Sequence, residues 1–233
     1  MKTVGIIGGI APESTIQYYR WIIKSYRDRK GDGSYPPILI NSIDMQKMLE
    51  LIGANEFPRV IEYLVGEVKK LAIAGADFGL LASNTPHIVF NDIRQQSQIP
   101  LISIVEATCL AAQTLGLKKM GLFGTRFTMQ GHFYSEEFSK HGITLVVPDL
   151  ESQAYIHEKY MSELVNGIYL PETRERLLLI VSELQKQQGI EGLILGGTEL
   201  PFVMNMNDPS EQTIPFLDTT KIHAEQAVTQ MLS

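Results

Sequence analysis

The segment GADFGLLASNT, residues 75–85, decides the fold, because the chain carries a second version of it, GIEGLILGGTE, at residues 189–199. Each opens on glycine, runs through apolar residues of strand character and stops in a small, polar elbow. An earlier pair matches in the same order: VGIIGG at Val4–Gly9 and MGLFGT at Met120–Thr125 correspond position by position, with a nearly equal separation between the two marks in each half. Self-similarity of this kind marks a repeated structural unit. Outward from these marks, apolar runs predict strands at Val4–Ile7, Ile38–Ser42, Phe78–Ala82, Leu101–Ile102, Met120–Phe123, Thr144–Val147, Gly192–Leu195 and Pro215–Leu217. Helical patterns fall between them, over Ser14–Arg29, Phe57–Ala74, His132–Lys140, Ser152–Asn166 and Pro171–Gln187. Such alternation implies parallel sheets covered by helices on both faces. The expected fold is α/β: two similar Rossmann-like lobes, each a parallel sheet flanked by helices, related by a pseudo-twofold axis. The first lobe takes residues 1–102 and about 215–233, with a last helix around Thr220–Leu232, and the second takes 103–214.

The 233 residues suit one large α/β unit or two small domains. Hydrophobic residues make up 44% and charged residues 20%, a balance that points to an ordinary globular chain rather than a disordered one. A net charge of −6 gives no electrostatic attraction toward nucleic acid or an anionic membrane surface. The N-terminal MKTVGIIGGIAPES has an apolar run broken by glycines and lacks a cleavage-site pattern, so it reads as a strand rather than a signal peptide. No apolar run reaches the ~18 residues of a membrane span. The single cysteine, Cys109, excludes an internal disulfide and any cysteine-built metal site. Its helical setting, VEATCLAAQ, makes it a small buried hydrophobe. A cytoplasmic protein is expected.

Ligands of parallel α/β sheets bind beyond the C-terminal ends of the strands. A pseudo-twofold axis would turn four elbows toward one cleft between the lobes: GGIAPES, ASNTPH, GTRFTM and GGTEL. In GGIAPES, Gly8 and Gly9 permit a tight turn and Pro12 suits a first helical turn, so the stretch reads as an anion site built from free N–H groups or, alternatively, as a plain strand-to-helix turn. The spacing is not Gly-x-Gly-x-x-Gly and lacks Gly-Lys-Ser/Thr, so a small carboxylate fits better than a dinucleotide. The other elbows add Ser83, Asn84, Thr85 and His87; Thr125 and Thr128; and Gly197, Thr198 and Glu199. Hydroxyls, amides and backbone N–H groups suit an amino-acid zwitterion. His87 has two readings, a hydrogen-bonded structural histidine or a member of the site. His132, His141, His157 and His223 lack metal-ligand spacing and receive no role.

Over essentially its full length the chain resembles the cofactor-independent aspartate/glutamate racemases. The resemblance rests on GIIGGIAPEST, SNTPH, GGTEL, LFGTRFTM and FLDTTKIHAEQAV. It implies a small amino acid bound between two lobes, no cofactor, no metal and a homodimer. It also implies substrate contacts from Gly9, Ile10, Asn84, Thr85, Thr125 and Thr198. In that family one group removes the Cα proton and another returns it from the opposite face, and a pair of thiols tuned toward neutral pH does both. Members typically show Cys-Asn-Thr at the first elbow and Gly-Cys-Thr at the second. Here those cysteine positions are Ser83 and Gly197. NSIDMQKMLEL also lacks the arginine with which some relatives hold a carboxylate, Lys47 being the nearby cation.

Three functions follow. The first is an amino-acid racemase with altered acid/base groups: Ser83 activated by His87 on one face, and Glu199, Asp44 or a water on the other. The second is one-sided chemistry on the same scaffold, a lyase or decarboxylase that needs a single proton donor. The third is a non-catalytic amino-acid binder.

Overall fold

A computed structural model describes residues 1–204 and 213–233 and divides them into two units, Met1–Ile104 with Thr220–Ser233, and Val105–Thr219. In the first unit the chain runs β1 (Val4–Gly8), α1 (Pro12–Lys30), β2 (Ile38–Ser42), α2 (Met45–Gly53), α3 (Phe57–Ile73) and β3 (Phe78–Leu81). A 3₁₀ turn at Thr85–Val89 then leads into α4 (Phe90–Gln96). The strands pair in the order β2-β1-β3, all parallel, with Val4 opposite Ile38 and Phe78. Helix α5 (Ile104–Thr114) opens the second unit, followed by β4 (Lys119–Gly124), α6 (Arg126–Gln130), α7 (Phe133–Lys140), β5 (Thr144–Val146) and α8 (Leu150–Ser162). After them come α9 (Pro171–Gln188), β6 (Gly192–Gly196), α10 (Leu200–Met204) and β7 (Phe216–Asp218). This sheet is also parallel, in the order β5-β4-β6-β7. Helix α11 (Thr219–Leu232) returns to the first unit.

The repeat seen in the sequence is a repeat of structure. β1, β2 and β3 have the order of β4, β5 and β6, to which the second sheet adds β7. One detail recurs at the level of atoms. The Asp77 carboxylate accepts the Thr3 N–H at 2.6 Å, and the Asp77 N–H donates to the Thr3 carbonyl at 2.9 Å. At the matching place Glu191 accepts the Lys118 N–H at 2.6 Å and donates its own N–H to the Lys119 carbonyl at 2.7 Å. Each hook fastens the foot of a central strand, β1 or β4, to the foot of its neighbour, β3 or β6. The cores are separate: Val4, Ile6, Tyr18, Ile22, Phe78 and Leu80 pack with Ala224, Val228 and Met231 of α11 in the first unit. Phe123, Ile156, Leu177, Leu193 and Leu195 lead the second.

Three expectations need correction. Leu101–Ile102 makes one parallel bridge, Leu101 to Gly79, because Pro100 brings no N–H and the chain enters α5 at Ile104. The segment from about 215 stays with the second unit through Thr219, since Phe216 and Leu217 pair with Leu193 and Ile194. Helices α2 and α4 lie in stretches for which no helix was expected. Among the described residues no helix is long and apolar enough to cross a membrane.

Candidate active site

The first two elbows adjoin because β1 and β3 are neighbours. Gly9 has φ +83°, and a Cβ there would lie 2.7 Å from Ser42 Oγ and 2.8 Å from the Ile43 nitrogen, so only glycine fits the turn. Its N–H donates to Thr15 Oγ1 at 2.8 Å, so this amide is engaged inside the protein rather than open to an anion. Ile10 is buried. The Ser14 hydroxyl donates to the Ala11 carbonyl at 2.7 Å, with the Ala82 carbonyl at 3.2 Å, which ties the start of α1 to the end of β3.

Ser83, Asn84, Thr85 and His87 follow β3 and are all buried. His87 does not activate the Ser83 hydroxyl. Its Nδ1 lies 3.0 Å from the Ser83 carbonyl and must donate, while its Nε2 accepts the Ile104 N–H at 3.2 Å. The ring also stacks on Phe90 at 4.6 Å. One neutral tautomer satisfies both bonds, and burial, with His223 nearby, holds the imidazole well below its usual 6.5. His87 therefore braces the elbow. Asp44, a candidate base, is exposed and caps α2, its carboxylate accepting the Gln46 N–H at 2.9 Å. The Lys47 ammonium lies 4.3 Å from the Tyr63 ring centroid.

In the second unit the paired ends of β4 and β6 place Thr125 beside Gly197, Thr198 and Glu199, all buried. Thr125 caps α6, its hydroxyl accepting the Thr128 N–H at 3.3 Å. Gly197 marks the main departure from expectation. A Cβ on this glycine would overlap the ring of Tyr160 from α8, with Cζ at 3.0 Å and the hydroxyl oxygen at 3.2 Å. The Tyr160 hydroxyl donates a hydrogen bond to Glu199 Oε2, which also accepts from Thr198 Oγ1 at 2.8 Å. Burial, reinforced by the Glu199 charge, raises the Tyr160 phenol well above its usual 10, so it keeps its proton. Cys109 lies buried in α5, its thiol pushed to about 11 by burial and by Glu137.

The structure thus gathers the expected residues as two pairs of adjoining elbows, one pair in each unit. It adds Tyr160, which sequence reasoning missed; the bare Gly197 signalled space at the elbow, but no local pattern says which ring fills it. Among the described residues no three of His, Cys, Asp and Glu come together as a metal site would require.

Residues 7–227 match the family model described as Asp/Glu/Hydantoin racemase. A Yersinia pestis protein assigned as an Asp/Glu racemase has a crystal structure 32% identical to this chain, with a TM-score of 0.90 and all of both chains covered. An aspartate racemase homologue from Pyrococcus horikoshii OT3 is 30% identical, with a TM-score of 0.86 and the same coverage. The broad specificity amino-acid racemase RacX of Bacillus subtilis (strain 168) is 25% identical over 99% of this chain and 98% of its own.

Proposed function

The chain belongs to the Asp/Glu/hydantoin racemase family, and on that premise we propose that it is a cofactor-independent enzyme that moves the Cα proton of a small amino acid and racemises aspartate and glutamate slowly. One observation carries the reading. The two elbow positions that the internal repeat makes equivalent hold Ser83 and Gly197, neither of which supplies a resting anion at neutral pH. The groups suited to holding a zwitterion are still there: Asn84 and Thr85 after β3, Thr125 after β4 and Thr198 after β6. Affinity should therefore survive better than turnover.

One-sided chemistry, such as decarboxylation or elimination, is favoured as a second reading by the bonding of His87. With both ring nitrogens held by backbone groups, His87 does not serve Ser83 as a base. Incubating the protein with L-aspartate or L-glutamate in deuterated water and following the Cα–H signal by NMR separates these cases. Exchange with inversion supports racemisation, and exchange without inversion, or release of a new product, supports one-sided chemistry. Binding with neither would mean that the chain is a non-catalytic amino-acid binder. The reading includes a cytoplasmic homodimer, for which sedimentation equilibrium is the direct measurement.

A further inference from the structure

The internal repeat aligns Ser83 with Gly197, so one elbow carries a hydroxyl and its counterpart carries no side chain. At the bare elbow another element supplies the missing hydroxyl. Tyr160, from α8, lays its ring where the side chain of residue 197 would start, and its oxygen stands 3.2 Å from that Cβ position. Both elbows thus present a hydroxyl, but their surroundings differ. Tyr160 donates directly to a buried carboxylate, Glu199, whereas His87, four residues from Ser83, is held by backbone groups through both ring nitrogens. Thr198 donates to the same carboxylate oxygen and fixes its orientation.

We propose that Tyr160 and Glu199 together form the proton carrier for one face of the substrate's Cα. The inference rests on the reading that the enzyme moves a Cα proton. In the forward direction the Cα–H bond breaks and its proton passes to the Tyr160 oxygen. The phenolic proton moves at the same time to Oε2 of the Glu199 carboxylate. The electron pair stays on Cα, the phenol is regenerated and Glu199 becomes neutral. The reverse path returns the proton to the same face. The net change is one proton moved from carbon to a carboxylate, with no oxidant, reductant or second reactant. The pair serves one face of Cα only. The enantiomer whose Cα–H points at Tyr160 exchanges its proton faster than it inverts.

The test compares Cα–H exchange in deuterated water for L- and D-aspartate and L- and D-glutamate with the wild type, Tyr160→Phe, Glu199→Gln and Ser83→Ala. Tyr160→Phe keeps the ring that fills the space over Gly197, and a melting curve confirms that each variant is folded. Tyr160→Phe and Glu199→Gln should each slow exchange of one enantiomer by about 10²–10⁴-fold. KM should change little, and the double variant should be no slower than the slower single one. Wild-type exchange that Tyr160→Phe leaves unchanged, or a loss confined to KM or to melting temperature, overturns the proposal and leaves the reading of Cα chemistry standing. Absence of exchange by the folded wild type with all four substrates overturns that reading, and this proposal with it.

Discussion

Two imidazoles, those of His87 and His223, lie in the first unit with ring centroids 6.3 Å apart, and every ring nitrogen of the pair has a partner. His223 Nε2 donates to the Ile102 carbonyl at 3.1 Å, so its Nδ1 accepts from the Tyr18 hydroxyl at 2.8 Å. Both rings must stay neutral: burial brings His223 down to about 3, and His87 is depressed in the same direction by burial, by His223 and by Arg94. The unfolded chain binds these protons first, at its ordinary pKa near 6.5, so their contribution is complete above that pH and is lost as pH falls toward the folded values. Stability should drop by about 1.4 kcal/mol per pH unit for each imidazole over that window. Urea unfolding between about pH 7 and pH 5 measures it, and an unchanged midpoint would mean that the imidazoles titrate normally in the folded protein. At the other elbow, Gly197→Ala should cost about 1–3 kcal/mol by forcing the buried Tyr160 ring to move. The cost should largely vanish beside Tyr160→Ala, so an equal loss in both backgrounds would show that the ring is not what occupies the space. At this scale the sequence was a partial guide. It marked His87 and Gly197, but the partners of His87 are backbone atoms brought to it by a 3₁₀ turn and by the start of α5. Tyr160 comes from α8, far along the chain from either elbow motif.

Helix α2 shows what was readable among the elements and what was passed over. Asp44 followed by MQKMLEL is a helix-start pattern, a capping side chain ahead of an amphipathic run, yet the carboxylate also invited a reading as a base. Its bonds to the Gln46 and Lys47 N–H groups identify a cap. Asp44→Ala should therefore cost about 1 kcal/mol in urea unfolding. A role in proton transfer would show up instead as a lost exchange rate. Helix α4, with only seven residues after the 3₁₀ turn, is too short to show a period. The central strands were legible because they are buried apolar runs that occur twice. The hooks of Asp77 and Glu191 were not, because a carboxylate at a strand's edge carries no local sign of which N–H it will meet.

For the whole molecule, each unit holds one of the two positions that the family resemblance assigns to thiols. Restoring both with Ser83→Cys and Gly197→Cys calls for a third change, Tyr160→Ala, to open space for the new side chain over residue 197. The triple variant should racemise aspartate or glutamate faster than the wild type, and the same protein with either serine or glycine put back should not, because each face of Cα needs its own carrier. Chiral chromatography of the amino acid reports it, and equal rates in all of them would dissociate these two positions from the chemistry. The sequence disclosed this two-part plan through its repeat, but placed the return to the first unit a few residues early because a three-residue strand, β7, intervenes. That return also governs how the chain is made. The second unit is continuous from Val105 to Thr219, whereas the first lacks the side of its core built from Ala224, Ala227, Val228 and Met231 until α11 has been synthesised. On the ribosome the earlier half therefore matures last. Tyr18, Ile22 and Phe78 keep an unfilled apolar face while the later half completes itself, and transiently exposed surface of that kind is prone to aggregate.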